Sequence, residues 1–394
     1  MSGTDQATIS LLVIVGAALA LPLLAARLRL PAVVLEIVFG IIIGPVTHVI
    51  AQANYLDVLA DLGFLLLMFL SGFEIDLRTF GRRLVAPLAW ASAIFALTVV
   101  GALFASRILG HGIFLTFVLA TTSVGLVVPS LRATRRGSTT LGQVILLAAL
   151  LADLLTLLGV SAYALAEEHG PARALLAIPA FFVVVGGSLL ALRRLVWWRP
   201  EWFERLFQPG HSEEIGTRAT LALMLVFVGV AMVFGIENIL GAFLAGTGFA
   251  IVFRNRGVLG EQLSGFAYGF LVPVFFINVG IGFDLDALRQ PGAVAGMLGL
   301  LGLAVVVKVV PALILLFRRH SLREVLAAGA LLSARLSLII AVAEVGARLG
   351  FIDQLLKASI ITLAVVTATL APIVFRWLAP PLAAPDAAIG RGVD

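Results

Sequence analysis

The chain has 394 residues, 61% of them hydrophobic and only 12% charged, with a formal net charge of +5 and a mean hydropathy of +1.12. Ordinary globular chains carry about 45–50% apolar and about 25% charged residues, so a soluble domain is excluded and a polytopic helical membrane protein is predicted. There is no cysteine and hence no thiol chemistry, and the arginines are dispersed over short loops, which points away from nucleic acid.

In chain order, thirteen apolar runs are long enough to cross about 30 Å of hydrocarbon as helices. They fall at 8–26, 31–49, 56–77, 84–106, 113–131, 141–165, 174–192, 218–235, 238–253, 261–283, 293–317, 323–346 and 354–378. The first follows seven residues without a basic flank and reads as a retained helix, not a cleaved signal segment. The longest loop, 193–217, carries the Trp and Arg residues of a membrane-surface segment. The Pro/Ala-rich stretch 380–394 is expected to be disordered.

With the loops numbered alternately, one set holds 20 basic residues and the other 5; Lys308 and Arg335 fall inside spans. The positive-inside rule then places the N-terminus outside and the C-terminus in the cytoplasm. An internal repeat at an offset of about 208 residues lays Phe69–Leu77 over Ile277–Leu285, matching Gly72 with Gly280 and Gly40 with Gly248. The matched spans, the second and the ninth, are seven positions apart in the order of helices, so the halves are inverted, an arrangement that places transport sites near the midplane.

A few polar groups stand out against this background. Asp153 lies twelve residues from either end of the 141–165 span, at the bilayer centre. An aspartate there costs about 2.5–3.5 kcal/mol on insertion scales and faces a water-filled cavity or a partner. The competing structural role is a protonated Asp153 bonded between helices. Lys308 sits about 13 Å from the cytoplasmic end of its span at the helical rise, a long reach for snorkelling, and is read as a charge partner of Asp153.

Two spans read as broken. Leu119–Pro129 (LATTSVGLVVP) gathers Thr121, Thr122, Ser123, a glycine and a proline; Leu331–Ala341 (LLSARLSLIIA) gathers Ser333, Arg335 and Ser337. Interrupted helices at membrane depth occur within protein or around a cavity, and their carbonyls and dipole ends bind ions. Arg335 is suited to neutralising facing carbonyl ends. The alternative for the hydroxyl cluster is small-residue helix packing.

Glu36, about a turn and a half after Pro31, is an accessory candidate with an interfacial alternative. Glu74 and Asp76 beside Arg78 read as interfacial pairing, and Glu344 as solvated. HExxH, Walker and GxSxG patterns are missing, so metal chemistry, ATP-driven pumping and hydrolysis have no sequence support and no enzyme activity or cofactor is expected.

LPAVVLEIVFGIIIGP (Leu30–Pro45) follows the pattern P-x-V-x-G-E-x-x-x-G-x-x-x-G-P with Leu35 in place of a glycine, and GFLLLMFLSGFEIDL (Gly63–Leu77) resembles G-L-x-x-L-x-F-x-x-G-x-E-x-D-L. With TTSVGL (Thr121–Leu126), these elements resemble the monovalent cation:proton antiporter superfamily, in the branch of Kef-type and NapA/NhaA-type proteins. The resemblance covers nearly the whole chain. It implies an all-α fold of 13 transmembrane helices with an inverted repeat and two crossed discontinuous helices. Residues 1–83 and 218–290 would form scaffold and dimerisation helices, 84–170 and 291–379 the moving core, and 171–217 a linker helix and loop.

By position, Asp153 matches the transported-ion carboxylate, Thr121, Thr122 and Ser123 the unwound stretch beside it, and Lys308 the core lysine, with Arg335 a second charge partner and Glu36 and Ser337 accessory. Two departures stand out. Ala152 occupies a position that is often Asp or Gln in relatives, and Arg335-Leu336-Ser337 stands where some carry Arg-Gly-Glu. The lack of a nucleotide-binding regulatory domain points away from a complete Kef system.

The implied activity is alternating-access exchange of H⁺ for Na⁺ or K⁺ by a homodimer in the bacterial inner membrane. It would be electroneutral because a single carboxylate is shared, with Lys308 pairing with Asp153 when no cation is bound. The competing readings are a cation channel or efflux subunit gated by a separate regulatory protein, and a membrane sensor that does not transport.

Overall fold

The computed structural model describes residues 3–28, 30–50, 53–74, 85–198, 215–252 and 257–382, and every regular element among them is helical. The chain begins with α1 (Gly3–Leu28) and α2 (Ala32–Ile41), which widens into a π turn at Ile42–Val46 around Pro45, a residue that cannot donate to the helical ladder. Next come α3 (Asn54–Phe73), α4 (Val85–Ile108), the short pair α5 (Phe114–Ala120) and α6 (Val124–Ala133), and α7 (Thr140–His169). The second half holds α8 (Pro171–Trp198), α9 (Ile215–Val233), α10 (Asn238–Val252), α11 (Gly257–Phe266) with a π turn into α12 (Val272–Ile281), and α13 (Ala293–Ala312). The pair α14 (Leu322–Leu332) and α15 (Ser337–Arg348) follows, then α16 (Gln354–Leu378).

Ten of the described helices are long and apolar enough to cross a membrane, and the α14–α15 pair, bent by 44°, makes eleven. The sequence predicts thirteen, two more than this. The segments expected at 31–49 and 238–253 are shorter apolar helices, Ala32–Val46 and Asn238–Val252. Ala32–Val46 rises about 22 Å at 1.5 Å per residue, short of about 30 Å of hydrocarbon, and the described part of the second helix has the same length. Conversely α8 continues to Trp198, past the expected end at 192. The remainder of the expected surface segment (199–214), most of the tail (383–394), Asp76 and Arg78 lie outside the described residues.

The outward faces are apolar, as a lipid solvent requires: Leu12, Leu19 and Leu23 on α1 and Leu175, Leu176 and Val183 on α8 are exposed. Inside, helices meet in two ways. Along one seam, α2 lies on α12 and α3 on α10, and both contacts are made backbone to backbone through glycine. A Cβ on Gly40 would fall on the carbonyl oxygen of Ile277, and one on Gly280 would fall on that of Ile37. A Cβ on Gly72 would strike the Phe243 carbonyl, and one on Gly246 that of Phe69. Small residues of this kind are what let membrane helices approach closely.

Elsewhere α4, α7, α13, α14 and α16 pack with α5, α6 and α15 through side chains, with Ile94, Val127, Ile145, Ala328 and Phe375 in one buried cluster. At the end of this group where α7 reaches His169, the rings of Phe114, Phe117, Tyr163 and Phe351 meet in edge-on and tilted pairs.

Candidate functional site

The break between α5 and α6 is three residues long. Thr121 (φ −56°, ψ 152°) and Ser123 (φ −112°, ψ 109°) are extended, which removes three carbonyls at the end of α5 and the first N–H groups of α6 from helical bonding. β-branched and hydroxylic residues in succession favour such a conformation. The α14–α15 break runs from Ser333 to Leu336, where Leu336 is held at φ −148°, ψ −82°.

The two breaks satisfy one another. Ser123 N–H donates to Ala334 O at 2.9 Å, and Thr122 Oγ1 donates to Leu332 O at 3.0 Å. Two cations complete the junction. Arg335, fully buried, donates through Nη2 to Leu119 O (2.8 Å) and Ala304 O (3.0 Å), and through Nε to Thr121 O (3.2 Å). Lys308 on α13 donates to Ala120 O at 2.7 Å and to Thr122 Oγ1 at 2.8 Å. Both side chains therefore end on the C-terminal carbonyls of α5, where the helix dipole places partial negative charge.

Asp153, buried in the middle of α7, faces the other side of the same break. The backbone N–H of Val124, in the first turn of α6, is directed at its carboxylate, and Oδ1 is buried without a hydrogen-bond partner. A carboxylate at the positive end of a helix is electrostatically favoured. Withdrawn from water, it still needs a proton, a metal cation or further donors to complete its shell.

Thr121, Thr122, Ser123, Lys308, Arg335 and Asp153 are thus gathered at one junction, with two details that differ from the sequence reading. Lys308 stands within electrostatic reach of Asp153 and Arg335, but its hydrogen bonds go to Ala120 and Thr122, because a freed helix-end carbonyl is a strong acceptor with partial negative charge that is already in place. Thr122 is occupied between Lys308 and Leu332, whereas Thr121 Oγ1 donates only to Val118 O (2.7 Å) and keeps its lone pairs for other use.

Ser337 opens α15 and is half-buried. Glu36 is buried on α2 with Oε2 unpartnered, one turn from Val33, which packs near Leu336 of the second break. Glu344 is paired with Lys357 at 2.9 Å. Among the described residues no group of three His, Cys, Asp or Glu side chains could hold a resident metal ion. Sequence reasoning did not single out Thr156, one turn along α7 from Asp153. Its only signal was a hydroxyl at i+3 from the aspartate.

Comparison with known proteins agrees with this picture. The family model described as sodium/hydrogen exchanger, transmembrane, matches residues 12–380. A Bacillus subtilis (strain 168) protein named as an Na(+)/H(+) antiporter, YjbQ, is 35% identical over 94% of this chain, and the chain spans 62% of that relative's length. A Methanocaldococcus jannaschii protein named as an Na(+)/H(+) antiporter is 28% identical over 91% of this chain and 92% of its own. Among solved structures, the sodium proton antiporter MjNhaP1 from Methanocaldococcus jannaschii shares the fold with a TM-score of 0.67. It covers 95% of this chain and 98% of its own length at 15% identity.

Proposed function

The chain belongs to the transmembrane sodium/hydrogen exchanger family, and from that premise we propose that it is a secondary active antiporter exchanging H⁺ for Na⁺ or K⁺ in a bacterial inner membrane. The observation that carries this reading is the Asp153 carboxylate, set against the first turn of α6 with Oδ1 uncommitted while both neighbouring cations are tied to α5 carbonyls.

Asp153 binds either a proton or a cation, and Thr121 and Ser123 supply oxygens to the cation. Lys308 and Arg335 hold the break in shape and balance its carbonyl end. Lys308 tunes the site through space rather than by trading places with the cation. Because Ala152 adds no second carboxylate, one cation replaces one proton, the loaded forms carry equal charge, and exchange is electroneutral.

Alternating access would move the group containing α4–α7 and α13–α16 against the glycine-seamed group of α1–α3 and α9–α12, with a second copy joined through the latter. The inverted repeat has support in the seam. The offset that relates Gly40 to Gly248 and Gly72 to Gly280 carries the α2–α12 contact onto the α10–α3 contact. Under that relation the two short helices α2 and α10 count with the eleven longer candidates as thirteen segments.

The test is purified protein in proteoliposomes with an internal pH dye and Li⁺, Na⁺, K⁺ or Rb⁺ outside. Wild type is expected to move protons against at least one of these cations, and Asp153→Asn to fall to the protein-free background while remaining folded. A sustained current driven by the cation gradient would sink the electroneutral reading. Cation flux without a pH change would favour a channel.

A further inference from the structure

Most threonines inside the described helices are satisfied locally. Thr98, Thr247, Thr362, Thr367 and Thr369 each donate to the carbonyl four residues back, the ordinary local solution for a hydroxyl in an apolar helix. Thr116, Thr217 and Thr156 depart from it, and of these three it is Thr156 that lies on α7 with Asp153. The residue is 1% exposed and its Oγ1 has no hydrogen-bond partner. Three residues separate it from Asp153, so the two side chains share one face of α7, about 4.5 Å apart along the axis. Asp153 Oδ1 is buried and unpartnered as well.

Two contacts give the height of Thr156 against the break. Gly159 lies against the ring of Phe117 on α5, and Asp153 faces Val124 on α6. The helices therefore run antiparallel, with Thr156 level with Ala120, the residue whose carbonyl holds Lys308. The free hydroxyl and the free carboxylate oxygen thus lie on successive turns beside the opened end of α5.

We propose that Thr156 is a ligand of the transported monovalent cation, its Oγ1 adding a neutral oxygen to the carboxylate of Asp153. The proposal rests on the reading of Asp153 as the ion site. A hydroxyl offers lone pairs to a dehydrated cation without gaining or losing a proton. It therefore raises cation affinity where Ala152 contributes nothing, and leaves the proton count of the exchange unchanged.

The experiment compares wild type with Thr156→Val, Thr156→Ser and Asp153→Asn in the dye assay, and in cation-dependent melting of the purified protein with Na⁺, Li⁺ or K⁺. Thr156→Val, which keeps the shape and removes the oxygen, is expected to raise the apparent KM for the cation about tenfold. Its pH for half-maximal activity at saturating cation should not move, and it should need correspondingly more cation to reach the wild-type rise in Tm. Thr156→Ser restores both. A wild-type KM and melting response in Thr156→Val overturns the proposal, as does a lower maximal rate at unchanged KM that Thr156→Ser does not rescue. If Asp153→Asn loses exchange and cation-dependent melting while Thr156→Val behaves as wild type, Thr156 alone is refuted. If Asp153→Asn keeps them, the site reading itself falls.

Discussion

The glycine seam and the helix-break junction both bring backbone against backbone in the membrane interior, by opposite means. At the seam, side chains are deleted: Gly40 meets Gly280 and Gly246 meets the Phe69 turn with nothing between them. At the junction the backbone is opened, and long cationic side chains from α13 and from the second break close it again at Leu119, Ala120 and Thr121. The first kind of contact has one arrangement, since any shift puts atoms on atoms. The second is electrostatic, and its members respond to charge arriving beside them. Under the alternating access proposed above, the first kind of contact would keep one group rigid and the second would let the other respond to its ion.

That contrast can be broken at its rigid side first. Gly40→Val is expected to cost about 3 kcal/mol by overpacking, read as a large drop in detergent Tm. Gly299→Ala on α13, where an added Cβ meets open space, should change stability by less than about 1 kcal/mol. Equal effects at the two positions would remove the distinction between seam and surface.

The electrostatic side is sharpened by Lys308→Met, which leaves the Ala120 carbonyl and the Thr122 hydroxyl without their donor. We expect a loss of about 2 kcal/mol. With one positive charge fewer near Asp153, the apparent KM for the cation should fall, measured in proteoliposomes. A rise in KM would mean that the lysine helps to form the site instead of opposing its occupant.

The smallest effect is expected at the periphery, where Glu237, between α9 and α10, meets Arg348 of α15 at 2.7 Å. Burial holds the Glu237 carboxyl above the usual carboxylate range, against the opposing pull of Arg348. A carboxyl raised in the folded state favours folding while protonated. That contribution is lost as pH rises from the unfolded carboxylate value of about 4.5 through the raised one. Glu237→Gln should flatten this part of the Tm–pH curve and move stability at neutral pH by about 0.5 kcal/mol or less, the scale of an exposed ion pair.

Much of this molecule is legible from residue types because a bilayer punishes polarity. Asp153, Lys308 and Arg335 are conspicuous in their spans for that reason, and so are the hydroxyl runs that mark both breaks. What could not be read were partners that every residue carries. Lys308 and Arg335 terminate on main-chain carbonyls, which leave no trace in a sequence, so an aspartate looked like the obvious counter-ion. Thr156 was passed over because a lone threonine in a leucine-rich helix normally bonds to its own backbone. Its departure from that habit is visible only in coordinates. The π turn at Ile42–Val46 was hidden because hydropathy measures how apolar a run is, not how its helix is wound.

The reach of Arg335 also has a consequence for how the protein is made. Its acceptors at Leu119 and Thr121 precede it by 216 and 214 residues, and at about 5–20 residues per second of synthesis this is an interval of about 10–40 s. During that time the earlier half has no guanidinium to cover its opened backbone, and the later half can settle only if that opening is still there to receive it. Biogenesis is therefore a timed handover, in which whatever shelters residues 119–123 from lipid must yield when the last quarter of the chain arrives.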